Sequence, residues 1–389
     1  MRLGIIRLYI GDSGKFGYYN MQELGLAKAL VENGDFEVYI FLLRNKKIYP
    51  EQEIIEISDK IKFVYLPAIS IGTHGLINPG FIKRYEIDVV HLSSDIQLNT
   101  GRIIKWCLKN KVPVYSCIGT IESDSNIKIK KYLSNVLFSL NKVFLNKVTN
   151  IAKTPYVYSK LKEKGIKNVK LIPVGLDIKE LNNNSNIDKQ ILRKKYNIPS
   201  DTKLLLFVGK LEEYKKPLMA IEVLKNILKI DDGYSLLMVG SGLLKQRIFH
   251  EISISNLNSK FYYIEKISNK DIWEIYKLSD VFINMNDAEI YGMSILEAMY
   301  YKCPIIAVKA PGPKFIIDDN ETGYIIEDYD MQKWILAIKK AIKNRKEIGD
   351  KANKKITQEL NWDVISIQYI ELYQELINSY QHYRLREIT

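Results

Sequence analysis

The chain has 389 residues, 57 Lys+Arg against 45 Asp+Glu for a formal charge of +12, and is 47% hydrophobic and 26% charged. That length predicts two domains, each able to bury its own core, and the mix of apolar and charged residues excludes a disordered or fibrous chain. Residues 101–170 hold fifteen Lys/Arg against only Glu122, Asp124 and Glu163, the whole of the excess charge. One basic region therefore needs a partner: nucleic acid, an anionic membrane surface or a phosphorylated ligand.

Leu3–Ile10 reads as a buried strand; Arg7 inside its apolar run and the Gly-rich turn after it argue against a signal peptide. Helical and strand patterns then alternate: Met21–Glu32, Glu37–Leu43, Val89–Leu92, Ile103–Lys109 and Val112–Ile118. A polar Asn-rich stretch, Leu181–Asp188, reads as a surface loop near the domain junction. The alternation resumes with Leu204–Val208, Leu218–Leu228, Ser235–Val239, Lys270–Leu278, Val281–Ile283, Ser294–Tyr301 and Pro304–Val308. Such a pattern predicts α/β architecture with two Rossmann-like, doubly wound domains facing each other across a cleft, divided as 1–177 and 178–361. Ligands in such folds bind where strands end at their carboxyl side, so the loops after strands are the places to look.

Cys107, Cys117 and Cys303 lie far apart, and His74, His91, His250 and His382 do not approach them at metal-ligand spacing, so neither a disulfide framework nor a zinc site is indicated. No uncharged apolar run reaches the roughly 18 residues that a spanning helix needs. A cytosolic protein is expected.

Three loops carry chemistry. Gly11-Asp-Ser-Gly-Lys-Phe-Gly17 follows the first strand, where glycines let the backbone approach an anion at a helix start. Its spacing fits neither a dinucleotide fingerprint nor a Walker loop, and a plain tight turn is the alternative. Gly209-Lys-Leu-Glu-Glu-Tyr-Lys-Lys-Pro217 places Lys210, Lys215 and Lys216 after a strand, where ammonium groups neutralise a diphosphate leaving group or simply form a solvated turn. In Asn286-Asp-Ala-Glu289-Ile-Tyr-Gly292-Met-Ser294-Ile-Leu-Glu297, two carboxylates flank a Gly turn that opens a helix. Ser294-x-x-Glu297 is a possible capping box. The other reading has the N–H groups of Gly292, Met293 and Ser294 cradling a phosphate while Glu289 and Glu297 accept hydrogen bonds from sugar hydroxyls.

These residues resemble the retaining glycosyltransferases of family 4, which have the GT-B fold. Glu289–Val308 is similar to that family's Glu-x7-Glu motif, Glu-Ala-Met helix and following strand. Phe207–Pro217, Leu171–Asp177, Met238–Gly242 and Ile275–Ile283 resemble further family stretches in order, and Asn361-Trp362 through Leu376 resembles its terminal helix, so that 362–389 is expected to cross back onto the N-terminal domain. The resemblance implies transfer of a hexose from a nucleoside diphosphate sugar, most simply a UDP-sugar, to a saccharide or lipid-linked acceptor, with retention and without a metal or other cofactor. Glu289 would hold the donor hexose, Glu297 the ribose, and Lys210 and Lys215 the leaving diphosphate, with Lys216 as the alternative to Lys215. Gly17 and the N–H groups of Gly292, Met293 and Ser294 would lie against the donor diphosphate. Attack from the leaving-group face needs no strong base, whereas double displacement would make Glu289 the nucleophile.

Ile118 stands where the family has a His, which leaves acceptor activation unassigned; the nearby cluster Thr120, Glu122, Ser123 and Asp124 is either its substitute or a plain polar loop. Lys302 replaces a Gly before Cys303-Pro304, and Asp328-Tyr-Asp330 mimics a metal-binding motif from a turn that reads as structural. In the basic region Leu133, Val136, Leu137, Leu140, Phe144 and Val148 recur at helical spacing among Lys128, Lys130, Lys131, Lys142 and Lys147. That pattern fits a helix packed on the sheet, and equally an interfacial helix on anionic lipid, which would place the enzyme at the inner face of a bacterial plasma membrane in polysaccharide or glycolipid synthesis. Nucleic acid is disfavoured, because the lysines are interleaved with aliphatic and not stacking residues. A non-catalytic subunit that stabilises another transferase is the competing function.

Overall fold

The computed structural model describes residues 1–10, 22–94, 97–121, 128–181 and 187–386. The described chain separates into two compact units, the first drawn from 1–175 and 362–386 and the second from 176–361.

In the first unit, β1 (Arg2–Arg7), β2 (Glu37–Asn45), β3 (Glu53–Ser58), β4 (Ile61–Ile71), β5 (His74–Leu76), β6 (Val89–Ser93), β7 (Val114–Ile118), β8 (Thr149–Ala152) and β9 (Val169–Leu171) form one sheet. Its order is β3-β4-β2-β1-β6-β7-β8-β9 with β5 on β4, all parallel except β3 and β5 against β4. β1 sits at the centre, and its Leu3, Ile5 and Ile6 are fully buried, as a parallel strand covered on both faces requires. Each such side chain contributes roughly 1.5–3 kcal/mol by leaving water. The strand expected to run to Ile10 stops at Arg7. From there the chain leaves the ladder, with the Gly75 N–H donating to the Leu8 carbonyl at 3.0 Å and the Ile10 N–H to Thr73 at 2.8 Å.

The last helix, Trp362–Arg386, belongs to this first unit. The Asn33 amide at the end of the helix Gln22–Asn33 donates to the Ser366 hydroxyl at 2.9 Å, and the buried Tyr373 and Tyr115 hydroxyls are 2.9 Å apart. Tyr115 also hydrogen-bonds His91, whose imidazole burial pushes down to about 3, so it stays neutral inside this contact.

The basic helix spans Lys128–Leu145 and turns a different face inward from the one its pattern suggests. Phe138, Asn141 and Leu145 are buried, while Ile129, Tyr132, Leu133, Val136, Leu140 and Val143 are exposed. The reason is polar: Asn141 accepts from the Gly101 N–H at 3.2 Å and donates to the Gln97 carbonyl at 2.9 Å, which rotates the helix onto an amide instead of an aliphatic row. No helix among the described residues is long and apolar enough to cross a membrane.

In the second unit, β10 (Lys203–Val208), β11 (Tyr234–Val239), β12 (Phe261–Ile264), β13 (Val281–Asn284), β14 (Ile305–Val308) and β15 (Tyr324–Ile326) form a parallel sheet in the order β12-β11-β10-β13-β14-β15. This is the doubly wound order that reverses between the first and fourth strands, here β10 and β13. Two apolar cores cover its faces, one containing Leu205, Ile221 and Trp334 and the other Leu206, Tyr276 and Leu296.

Candidate active site

The loops that follow β10 and β13 meet where the strand order of the second sheet reverses. After β10 a single turn, Glu213–Lys215, leads to Lys216 in the left-handed conformation (φ 51°), and Pro217 then opens the helix Pro217–Leu228. Proline suits that first helical position because its missing N–H has no partner to lose. The tight entry sets Lys215 and Lys216 side by side facing the second loop.

That second loop is shaped by its own amides. Asn284 Oδ1 accepts from the Asn286 N–H at 3.0 Å, and Asn286 Oδ1 accepts from the Ala288 N–H at 3.1 Å, consecutive Asx turns that present Glu289. The Lys215 ammonium lies 2.6 Å from Glu289 Oε2, and the Asn286 side-chain amide donates to the same oxygen at 3.1 Å. Both members of the ion pair are largely withdrawn from solvent, Lys215 at 18% and Glu289 at 13% exposure. The Gly312 N–H holds the Glu289 carbonyl at 2.7 Å, and a Cβ on Gly312 would fall 2.2 Å from the Tyr291 carbonyl oxygen, so only glycine lets the helix Pro311–Ile316 back this loop so closely. Lys216 pairs with Asp287 and lies 4.5 Å over the Tyr329 ring, whose hydroxyl donates to the Met285 carbonyl at 2.8 Å.

The helix Met293–Tyr300 starts from Gly292, whose φ of 103° no ordinary side chain tolerates, and a Cβ there would come 3.3 Å from Glu289 Cγ. The glycine turn thus brings the helix start against Glu289. No side chain caps this helix, and among the described residues nothing accepts from the N–H groups of Gly292, Met293 and Ser294, the arrangement that suits an anion. The capping box of Ser294 with Glu297 is not formed, because Gly292 occupies the cap position. Glu297 instead accepts from the buried Tyr276 hydroxyl at 2.8 Å. Burial pushes its carboxyl up to about 7, and that hydrogen bond pulls the other way.

The structure therefore gathers Lys215, Lys216, Glu289 and the turn Gly292–Ser294, with Glu297 one helical turn further on. Lys210, at the end of β10, is exposed and makes no hydrogen bond or ion pair among the described residues. Thr120 follows β7 in the first unit, and Ile118 before it is buried. Gly17, Glu122 and Asp124 lie outside the described residues. Asp328 and Asp330 are structural: Asp330 caps the helix Met331–Lys343 through the Gln332 N–H at 2.9 Å, and Asp328 accepts from the Asp330 N–H at 3.0 Å. Asn286, Asp287, Tyr276 and Tyr329 were not legible as site residues. The first two adjoin Glu289, but Tyr276 and Tyr329 reach the site only through the fold.

Residues 188–359 match the family model "Glycosyl transferases group 1". The D-inositol 3-phosphate glycosyltransferase of Saccharomonospora viridis is 20% identical over 55% of this chain and 51% of its own length. The chain spans about half the length of the curated relatives it matches. Sucrose-phosphate synthase from Thermosynechococcus elongatus superimposes with a TM-score of 0.75 at 18% identity, covering 97% of this chain and 99% of that one. Anabaena HepE in complex with UDP-glucose gives a TM-score of 0.71 at 16% identity, covering 96% and 100%. The chain thus has the GT-B fold, and its residues 188–359 are similar to the group 1 glycosyl transferases.

Proposed function

We propose that this protein is a retaining, metal-independent glycosyltransferase that moves a hexose from a nucleoside diphosphate sugar, a UDP-sugar in the first instance, to a saccharide or lipid-linked acceptor. The observation that carries the reading is the Lys215–Glu289 pair, 2.6 Å apart at the sheet's reversal point and beside an uncapped helix start. Glu289 binds the hexose hydroxyls, Lys215 and Lys210 neutralise the departing diphosphate, and Lys216 orders the same loop. The N–H groups of Gly292, Met293 and Ser294 donate to a phosphate oxygen, and Glu297 takes the ribose hydroxyls. Fixed cations at a leaving diphosphate lower the barrier as positive charge develops on the anomeric carbon, so the acceptor hydroxyl attacks without a strong base. Support for the donor class comes from the fold shared with a protein that binds UDP-glucose.

Thr120, with Glu122 and Asp124 in the adjoining segment, is assigned to the acceptor. The exposed apolar row of the helix Lys128–Leu145, within a stretch holding all of the net positive charge, supports peripheral attachment to anionic lipid at the inner face of a bacterial plasma membrane. Synthesis of surface polysaccharide or glycolipid is the corresponding role. The buried Ile118 favours a second reading, a non-catalytic subunit that stabilises a partner transferase.

The two readings separate on a panel of UDP-sugars incubated with membrane extract and scored for released UDP, with and without EDTA. Turnover that ignores EDTA and falls at least about 100-fold in Glu289→Gln is expected. No turnover with any donor, or full turnover by the variant, would sink the catalytic reading.

A further inference from the structure

Arg7 is the last residue of β1, the central strand of the first unit, in register with Leu42 of β2 and Ser93 of β6. The other partly or fully buried arginines of the described chain are satisfied. Arg193 donates to the carbonyls of Leu278, Ser200 and Thr202 and to Asp280, while Arg44 pairs with Glu53 and lies 3.4 Å over the Tyr65 ring. Arg7 differs. It is only partly exposed, its Nε is buried with no hydrogen-bond partner, and its guanidinium makes no hydrogen bond or ion pair among the described residues. A buried unsatisfied donor is costly, more so when charged, and folded proteins retain very few of them.

The location gives that cost a use. Neighbours of β1 are β2 on one side and β6 on the other, so the first sheet also reverses its order there, and β1 ends at its carboxyl side, where α/β sheets bind ligands. Along the same edge, Lys153 follows β8 and adds a second partly buried cation. A guanidinium presents donors in a planar fork that matches two oxygens of a phosphate or carboxylate and stays charged at every working pH.

We infer that Arg7 binds an oxyanion, a phosphate or carboxylate borne by the acceptor. Calling the ligand the acceptor rests on the transferase reading; the oxyanion site itself does not.

Three probes that share a hydroxylated three-carbon skeleton test it on the full chain: glycerol 3-phosphate, glycerate and glycerol, each titrated against wild type, Arg7→Met and Arg7→Lys by calorimetry and thermal shift. Wild type is expected to bind one of the charged probes and not glycerol. Which charged probe binds tells phosphate from carboxylate. Arg7→Met should lose at least about tenfold in that affinity, and Arg7→Lys, which keeps the charge without the fork, an intermediate amount. Without probe, Arg7→Met should melt no lower than wild type, since it removes a partly buried cation whose Nε has no partner. A lower melting temperature with unchanged probe affinity, equal binding of glycerol, or binding of neither charged probe would overturn the inference. UDP titrated in parallel keeps the two readings apart: a chain that binds the charged probe through Arg7 but no nucleotide retains the oxyanion site and loses only the transferase assignment.

Discussion

The Lys215 ammonium and the Glu289 carboxylate meet at 2.6 Å across two loops separated by 74 residues of sequence. Such a pair, mostly withdrawn from water, is asymmetric in its response to mutation: losing one partner strands the other charge, whereas losing both does not. Lys215→Ala and Glu289→Gln should each lower unfolding free energy by about 2–4 kcal/mol, and Lys215→Met with Glu289→Gln should recover most of it. All three should lack transferase turnover. Urea unfolding beside a UDP-release assay separates the two effects, and a double variant as unstable as the singles would show that the pair is not coupled.

Glu297 links proton and nucleotide. Its carboxyl is pushed up to about 7 from an ordinary 4.5, so the folded state keeps a proton that the unfolded chain releases. Stability from this residue therefore declines as pH climbs from about 4.5 to 7, by up to about 3 kcal/mol, and Glu297→Gln should flatten that decline. If the ionised form is what holds the ribose, UDP affinity should weaken about fivefold between pH 7 and pH 6 and nearly tenfold more by pH 5. Calorimetric titration of UDP at these pH values is the check; an affinity flat with pH would remove Glu297 from the donor site.

Asp280 gathers three cations at the amino ends of β10 and β13. One oxygen accepts from Lys189 and from Arg345 at 2.9 Å, and the other from Arg193 and from the Leu204 N–H, both at 2.7 Å. Burial, with Arg345 nearby, pulls the Lys189 ammonium down to about 8. Asp280→Asn should cost about 3–5 kcal/mol near pH 6.5 and less near pH 9, where Lys189 gives up its proton. Thermal melts at the two pH values would show it, and an equal loss at both would mean that repulsion among the cations is not the cause.

The exposed row on the helix Lys128–Leu145 can be altered without touching a core. Leu133→Ser with Leu140→Ser should leave the melting temperature within about 2 °C of wild type, because both side chains already stand in water. Sedimentation with liposomes rich in anionic lipid should fall severalfold. Unchanged sedimentation would exclude this face from lipid contact.

Lys302 ends the helix Met293–Tyr300 in a left-handed conformation, φ 58°. The Cys303 N–H reaches the Ala298 carbonyl at 2.9 Å and the Lys302 N–H reaches Met299 at 3.1 Å, the pair of bonds for which glycine is the usual residue. Lys302→Gly should stabilise the protein by about 0.5–1 kcal/mol, read from the urea midpoint, with activity unaltered.

Legibility followed burial. β10, β11, β13 and β14 are near-continuous apolar runs and stood out in the sequence, as did the glycine turn at Gly292. β3 did not, since all six of its residues are exposed at a sheet edge and leave no alternation to read. β12, half-buried along its whole length, was hidden for a related reason. In the basic helix the periodicity was real, yet apolar residues on two sides made it ambiguous, and a buried amide at Asn141 settled the orientation. The same limit held at the site. Glu289 and the lysines were readable from their loops, but which lysine meets the carboxylate, and that Tyr276 holds Glu297, depend on contacts between distant segments.

The helix Trp362–Arg386 completes a unit whose other described residues precede 176–361 in the chain. Synthesis on the ribosome proceeds in one direction, so the Tyr115–Tyr373 contact cannot form until the second unit, 176–361, has been made. The strands translated before the second unit must wait for a helix translated after it, and the second sheet is free to fold before the first is sealed.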